Sequence, residues 1–227
     1  MSNNHLKIQK EKAVGQDTKG LQTVEALRKV VIARYVGPSP AFSELHVLRA
    51  LFLIGEKGSM GRAALAQSLG IGQGMVRTLI QRLRSAGMVT VEPGGCVLTK
   101  KGGKVYAGFR QNMSLPQKID AGKLAVDRHS AAILLRNAGG KMKLGIEQRD
   151  AAVRAGATGA TTIVFRDGKF LIPTSSEDSE KEFANKVWGE IRVIFAPKHN
   201  DVIIVCSAKS QREADYGGLA AALTLMS

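Results

Sequence analysis

Residues 69–104, LGIGQGMVRTLIQRLRSAGMVTVEPGGCVLTKKGGK, decide how this chain is read. Val76, Leu79, Ile80 and Leu83 recur at three- and four-residue intervals, which predicts a helix with one apolar face that stops at Gly87. The pattern then switches to period two. Residues 88–91 lead into Pro93-Gly94-Gly95, and Cys96, Val97, Leu98 and Thr99 lead out, which predicts a β-hairpin over 88–99 with glycine at its turn. Working upstream, Met60, Ala64, Leu65 and Leu69 predict a helix closed by Gly70-Ile71-Gly72. A short glycine-containing link of this kind lets two helices meet steeply. Before it, Phe42, Leu45, Leu48, Leu51 and Phe52 place an apolar stripe on another helix, ending near Gly55 and Gly58. Downstream, a helix is expected from Lys100 to about Arg110. Three helices, a hairpin and a helix in this order predict a winged helix-turn-helix.

Charge is distributed unevenly along the chain. Between Lys57 and Arg110 stand nine basic residues and a single acid, Glu92. By segment, residues 1–40 carry a net +4, 41–115 a net +7 and 116–227 a net +3, within a total of +14. A surface that attracts polyanions concentrates its charge on one module, because neutralised phosphates supply most non-specific affinity. With Val76, Leu79, Ile80 and Leu83 facing a core, the helix expected over 73–86 presents Gln73, Arg77, Thr78, Gln81, Arg82 and Arg84 elsewhere. Arginine can bond guanine bidentately, glutamine adenine, and threonine a base edge or a thymine methyl. The expected roles are base contact for Gln73, Arg77 and Gln81, with Thr78 beside them, and phosphate contact for Arg82, Arg84, Lys100, Lys101 and Lys104. A solvated helix face is the bland alternative for any one of these residues. It is weaker for the whole set, since a merely solvated face usually mixes both signs.

Gly61-Arg62, Leu65-Ala66, Leu69-Gly70-Ile71-Gly72, Val76-Arg77-Thr78-Leu79 and Leu98-Thr99-Lys100-Lys101-Gly102 together resemble the winged-helix domain of archaeal transcriptional regulators over about residues 42–112. The resemblance implies a DNA-binding regulator, commonly dimeric, and identifies no operator.

The chain divides on this reading into a polar, basic and disordered arm (1–20), a DNA-binding unit with a preceding helix (21–115) and a C-terminal unit (116–227) for dimerisation or ligand sensing. That preceding helix follows Leu21, Val24, Leu27, Val31 and Tyr35 and stops before Gly37-Pro38-Ser39-Pro40. The C-terminal unit alternates strands and helices, so the fold class is α+β with an α/β second unit. Leu124 to Val126, Ala131 to Leu135 and Asp201 to Ser207 are its apolar strands, and Thr161 to Phe165 with Lys169 to Ile172 flank the hairpin signal Asp167-Gly168. A helix from about Leu144 ends at Gly156. Residues 179–195 read as helix on the spacing of Phe183, Val187, Ile191 and Phe195, although residues 191–195 also alternate as a strand would. Ser210-Gln211-Arg212-Glu213 is a capping box before a last helix ending near Leu225, whose Leu219, Ala222, Leu223 and Met226 share a face read as core or interface.

The strongest ligand candidate in that unit is Arg149 with Asp150, followed by the small loop holding Thr158, Gly159 and Thr161. Arg149 and Asp150 share a helical face with Ile146 and Val153, so burial is expected, and a buried charge must be paired. They pair with each other, or Arg149 meets a small anion that backbone N–H groups of the loop approach. This region, with Arg149-Asp150, Gly156-Ala157, Gly159-Ala160-Thr161-Thr162 and Pro173, also resembles an uncharacterised C-terminal domain that accompanies the same archaeal winged helix. It implies architecture and no chemistry.

No cofactor or metal is predicted. Gly70, Gly72 and Gly74 follow no strand and have the wrong spacing for a dinucleotide fingerprint, and Cys96 and Cys206 lack a CxxC partner and read as small buried hydrophobes. His129 with Asp127 reads as a structural pair, and Glu177, Asp178, Glu180 and Glu182 as complements to a helix N-terminus. No apolar run reaches membrane-spanning length and the N-terminus has no signal-peptide core, so a cytoplasmic protein is expected, with double-stranded DNA as partner and no membrane. The expected function is transcriptional regulation by a homodimer and not catalysis. The alternatives are an enzyme acting on a small anionic metabolite through the C-terminal unit, and a winged helix that docks on another protein.

Overall fold

The computed structural model describes residues 23–31, 42–173, 175, 178–184 and 186–226. The expected N-terminal arm, the Gly37-Pro38-Ser39-Pro40 stop and Glu177 lie outside them. The described residues form an α+β protein in two compact units, one ending at Phe109 and the other running from Arg110 to Leu225.

The first unit begins with a helix over 23–31 (α1), which buries Val24, Leu27 and Val30. Next come α2 (Glu44–Lys57), α3 (Arg62–Leu69) and α4 (Gln73–Ser85), then the strands β1 (Val89–Glu92) and β2 (Gly95–Leu98) and the helix α5 (Lys100–Asn112). Two helix ends show how the sequence caps them. Ser43 closes a capping box with His46 at the start of α2. Gly70 takes the left-handed conformation at φ 71°, ψ 29° at the end of α3, and its N–H donates to the Ala66 carbonyl, the glycine termination that lets the chain turn into α4. From α4, Val76, Leu79 and Leu83 are buried completely, each contributing roughly 1.5–3 kcal/mol to the core. Phe52 of α2 meets Tyr106 and Phe109 of α5 edge-on, at 6.1 Å in both cases.

Two observations explain the closing Leu98-Thr99-Lys100-Lys101-Gly102. The Thr99 hydroxyl donates to the Gly87 carbonyl at 2.6 Å and accepts from the Gly102 N–H at 3.1 Å, tying the end of the hairpin to the end of α4 while capping α5. A Cβ on Gly102 would lie 1.9 Å from the Met88 carbonyl oxygen, so only glycine allows α5 this close to the first strand. Met60, expected on α3, precedes that helix instead. It exchanges backbone hydrogen bonds with Cys96 at 3.0 and 2.8 Å and adds a third, single-residue edge to the hairpin.

In the second unit β3 (Gln117–Lys118), β4 (His129–Leu135), β5 (Gly159–Arg166), β6 (Lys169–Leu171) and β7 (Asp201–Ala208) form one sheet in the order β3-β4-β7-β5-β6. Every pairing is antiparallel, so the alternation expected of an α/β unit holds along the chain while the sheet is that of an α+β fold. The helices are α6 (Ile146–Arg154), the short α7 (Ser179–Glu182), α8 (Val187–Phe195) and α9 (Gln211–Thr224). Helix α8 covers one face with Val187, Trp188, Ile191 and Phe195, packed on Leu134, Ile163, Phe165, Phe170, Ile203 and Val205. The other face receives α9 over β4 and β7 and α6 over β5. Burial on both faces is why all eight residues of β7 are inaccessible and its sequence does not alternate.

Three expectations for this unit change. Residues 124–126 are not a strand, since Gly122–Leu124 form a 3-10 turn. The helix expected over 179–195 forms in two pieces, with residues 183–186 between them. The strand expected over 161–165 starts two residues earlier, so Gly159 and Thr161 of the candidate ligand loop both lie in β5. The Asp167-Gly168 hairpin (φ 52° and 80°) and the Ser210–Glu213 capping box form as expected. Leu219, Ala222, Leu223 and Met226 are all buried, which places the shared face of α9 in the core.

Candidate nucleic-acid interface

On α4 the buried residues are Val76, Leu79, Arg82 and Leu83, and Gln73, Arg77, Thr78, Gln81 and Arg84 are exposed. At about 100° per residue, Gln73, Arg77, Gln81 and Arg84 fall within roughly 80° of the helix circumference, a sector separate from that of Val76, Leu79 and Leu83. The helix contains no acidic residue. Thr78 lies at the margin of this face. Its hydroxyl donates back to the Gly74 carbonyl at 3.3 Å, which leaves its methyl outward.

Arg82 does not join this face. It is 6% exposed, with its Nη1 donating to the Val31 carbonyl of α1 at 2.5 Å and its guanidinium 5.4 Å from the Phe42 ring centre. The helix packs against α1 as well as against the α2–α3 core, and Arg82 is the residue turned to that second side. Its guanidinium is held there by the Val31 carbonyl and the Phe42 ring and is turned away from the exposed face. Lys101 is also engaged. Its Nζ donates at 2.7 Å to the Ala86 carbonyl at the C-terminus of α4, a position that favours a cation. Lys100 and Lys104 are exposed. Of the expected contacts Arg77, Arg84, Lys100 and Lys104 are exposed, with Gln73, Thr78 and Gln81 among them, and Lys101 is exposed too but holds the Ala86 carbonyl.

The hairpin joins β1 to β2 through Pro93-Gly94, with Glu92 opposite Gly95. Gly95 sits at φ +125°, and a Cβ there would lie 2.6 Å from the Met60 carbonyl. The Ser59 hydroxyl donates to the Gly94 carbonyl at 2.8 Å, pinning the turn. Cys96 is buried within the hairpin, and burial raises its thiol pKa, partly offset by Arg84.

The ligand residues expected in the second unit are not assembled into a site. Arg149 and Asp150 lie in the open, with side chains 56% and 46% exposed, and they pair with each other at 3.0 Å. The buried side of α6 is Gln148, Ala151 and Ala152, while Ile146 and Val153, taken as the core face, are 48% and 47% exposed. Gly159 and Thr161 are strand residues opposite Ser207 and Val205, so their backbone belongs to the sheet and does not cradle an anion. The Thr158 hydroxyl donates to Asp127 at 2.6 Å. That bond, followed by one from the Arg128 N–H, holds the Asp127 carboxyl below the usual range, so its partners are Thr158 and the Arg128 backbone. Glu180 pairs with Arg192 and Asp178 with Lys181. Cys206 is fully buried, and burial pushes its thiol up to about 12. Among the described residues there is no group of three side chains able to hold a metal ion, and no helix long and apolar enough to cross a membrane.

What the sequence left unseen is a cleft in the second unit lined by Met142, Lys143, Val164, Arg166, Leu171 and Ile172, among others. Its signal was present in the strand alternation around Asp167-Gly168, which puts Val164 and Arg166 on one face.

Comparison with known proteins gives a family of unknown function for part of the chain and a similar fold. Residues 126–225 match a family model described as a domain of unknown function, DUF4443. A hypothetical protein from Pyrococcus horikoshii has a similar structure, with a TM-score of 0.65 and 24% sequence identity, covering 81% of this chain and 92% of that one. That coverage reaches beyond the second unit, so the likeness in fold extends into the first. No curated protein matches the chain.

Proposed function

We propose that the first unit is a winged helix that binds duplex DNA, with α4 in the major groove and the β1–β2 hairpin and the start of α5 on the backbone. The observation that carries this reading is the α4 surface. Two arginines and two glutamines share one exposed arc with no acid on the helix, while Val76, Leu79 and Leu83 of the same helix are fully buried. A helix of this kind enters a major groove, where arginine and glutamine read guanine and adenine edges. Arg77 and Gln73 stand in the first turn and a half, the part of a recognition helix that reaches bases. Arg84, Lys100 and Lys104 supply phosphate contacts.

The full reading is a homodimeric transcriptional regulator whose second unit serves dimerisation or ligand sensing. A dimer would read two half-sites about one helical turn apart, or a multiple of it. The enzyme alternative leaned on Arg149 meeting an anion, and its pairing with Asp150 in the open removes that support.

The test is binding of the full chain to selected and random duplexes. Arg77→Ala is expected to cost about 1–3 kcal/mol on the selected sequence and much less on random DNA. Equal losses on both would sink the assignment of Arg77 to base contact.

A further inference from the structure

The cleft in the second unit is a place where the sheet is left uncovered. On the α9 side of the sheet, β4 presents Ala131 and Ile133, and the pairing carries that face through Cys206, Ile204 and Val202 of β7 to Thr162 and Val164 of β5. Leu171 of β6 is opposite Val164, and Lys169 is opposite Arg166. Helix α9 covers β4 and β7 on this side. Helix α6 begins only over Thr162, since a Cβ on Gly145, its N-cap, would lie 3.2 Å from that side chain. The segment leading to α6 crosses above Val164, where a Cβ on Gly139 would approach the valine at 3.1 Å. Beyond that crossing the short α7 approaches β6 and brings Glu182 to the cleft wall.

The result is a cleft of about 750 Å³, within the range of small-molecule sites. Val164, Leu171, Ile172 and Met142 give it an apolar surface, and Arg166 and Lys143 stand on it as cations. Arg166 makes no ion pair among the described residues. Lys143 reaches Glu147 only at 3.9 Å with both side chains largely exposed, a pair worth little. Glu182 on the cleft wall leaves an excess of a single positive charge among the described lining residues.

We propose that this cleft binds an amphipathic monocarboxylate, the carboxylate on Arg166 with Lys143 beside it and the hydrocarbon part along Val164, Leu171, Ile172 and Met142. The net charge of the lining matches one negative charge and disfavours a dianion beside Glu182. A guanidinium can take both carboxylate oxygens at once, which fixes orientation as well as charge. This deepens the ligand-sensing part of the proposed function by giving it a site and a ligand class, while the binding itself needs no DNA.

The probe is dansylaminoundecanoate, a fluorescent fatty carboxylate, titrated into the full chain without DNA and displaced with decanoate or with decanol. Saturable binding is expected, with decanoate displacing the probe about tenfold more effectively than decanol, as a charge-assisted hydrogen bond requires. Arg166→Gln is expected to weaken the probe by about tenfold, Lys143→Gln by less, and Arg149→Gln on α6 not at all. Absence of saturation up to millimolar probe, equal displacement by decanol, or an Arg166→Gln protein binding as tightly as the unsubstituted chain would each overturn the proposal. Failure here leaves the DNA-binding reading standing, and failure of DNA binding leaves this result standing.

Discussion

At the scale of single residues, two neighbours in the same motif hold the first unit together by different means. Gly102 has the carbonyl of Met88 where a side chain would begin, so Gly102→Ala must push α5 away from the strand. The expected loss is about 1–3 kcal/mol, the usual range for overpacking, read as a lower denaturant midpoint at unchanged slope. Lys101 closes the end of α4 through Ala86, so Lys101→Ala should lower stability by roughly 0.5–1.5 kcal/mol while leaving the salt dependence of DNA binding nearly unchanged. Its sequence position beside Lys100 and Lys104 had marked it as a phosphate contact, because a lysine's partner is invisible when it lies fifteen residues back along the chain. Arg82 was misread for the same reason. Helical spacing separated it from Val76, Leu79 and Leu83, but it could not reveal that α1 covers a second side of α4. The cysteines were legible, because no spacing offered either one a partner and both are buried. Cys206, with its thiol pushed up to about 12, should resist alkylation in the native protein at pH 8 and react once the chain is unfolded, as mass spectrometry of the labelled protein would show.

At the scale of elements, the contrast between α4 and α6 shows what periodicity can and cannot settle. Both are amphipathic by spacing, and the apolar face of α4 faces the core as expected. On α6 the larger side chains, Ile146 and Val153, lie outward while the small Ala151 and Ala152 pack against α9. The reason lies in α9, where Gly217 faces α6, and a Cβ there would stand 3.6 Å from that of Ala152. A Cβ on Gly217 would meet that of Ala157 at 2.6 Å, and only small residues fit such an approach. Strand β5 was missed at its start because glycine and threonine resemble a loop locally, and pairing with β7 overrides that preference. Buried Asp201 locks three elements together at one end of the sheet, accepting from Arg136 at 2.7 Å and from the N–H groups of Asn137 and Lys198. Asp201→Asn removes the charge from all three bonds and should cost about 1.5–3 kcal/mol in equilibrium unfolding. Asp150→Asn, at a carboxylate that pairs with an exposed neighbour, should cost far less.

For the whole molecule, the concentration of positive charge in residues 41–115 against the near balance of 116–227 is the property that the proposed function uses. Burial of Arg82 and capping by Lys101 reduce the basic surface available to phosphate, and Arg84, Lys100 and Lys104 then carry the electrostatic part of binding. Lys104→Ala should weaken selected and random duplexes alike and lower the salt slope by about one unit. The direct test of the central claim is affinity selection of randomised duplex DNA by the full-length protein at about 150 mM salt, where non-specific binding is already weak. The account predicts enrichment of a two-fold symmetric motif that the Arg77→Ala protein no longer selects. Retention without enrichment, or no retention at all, would contradict it.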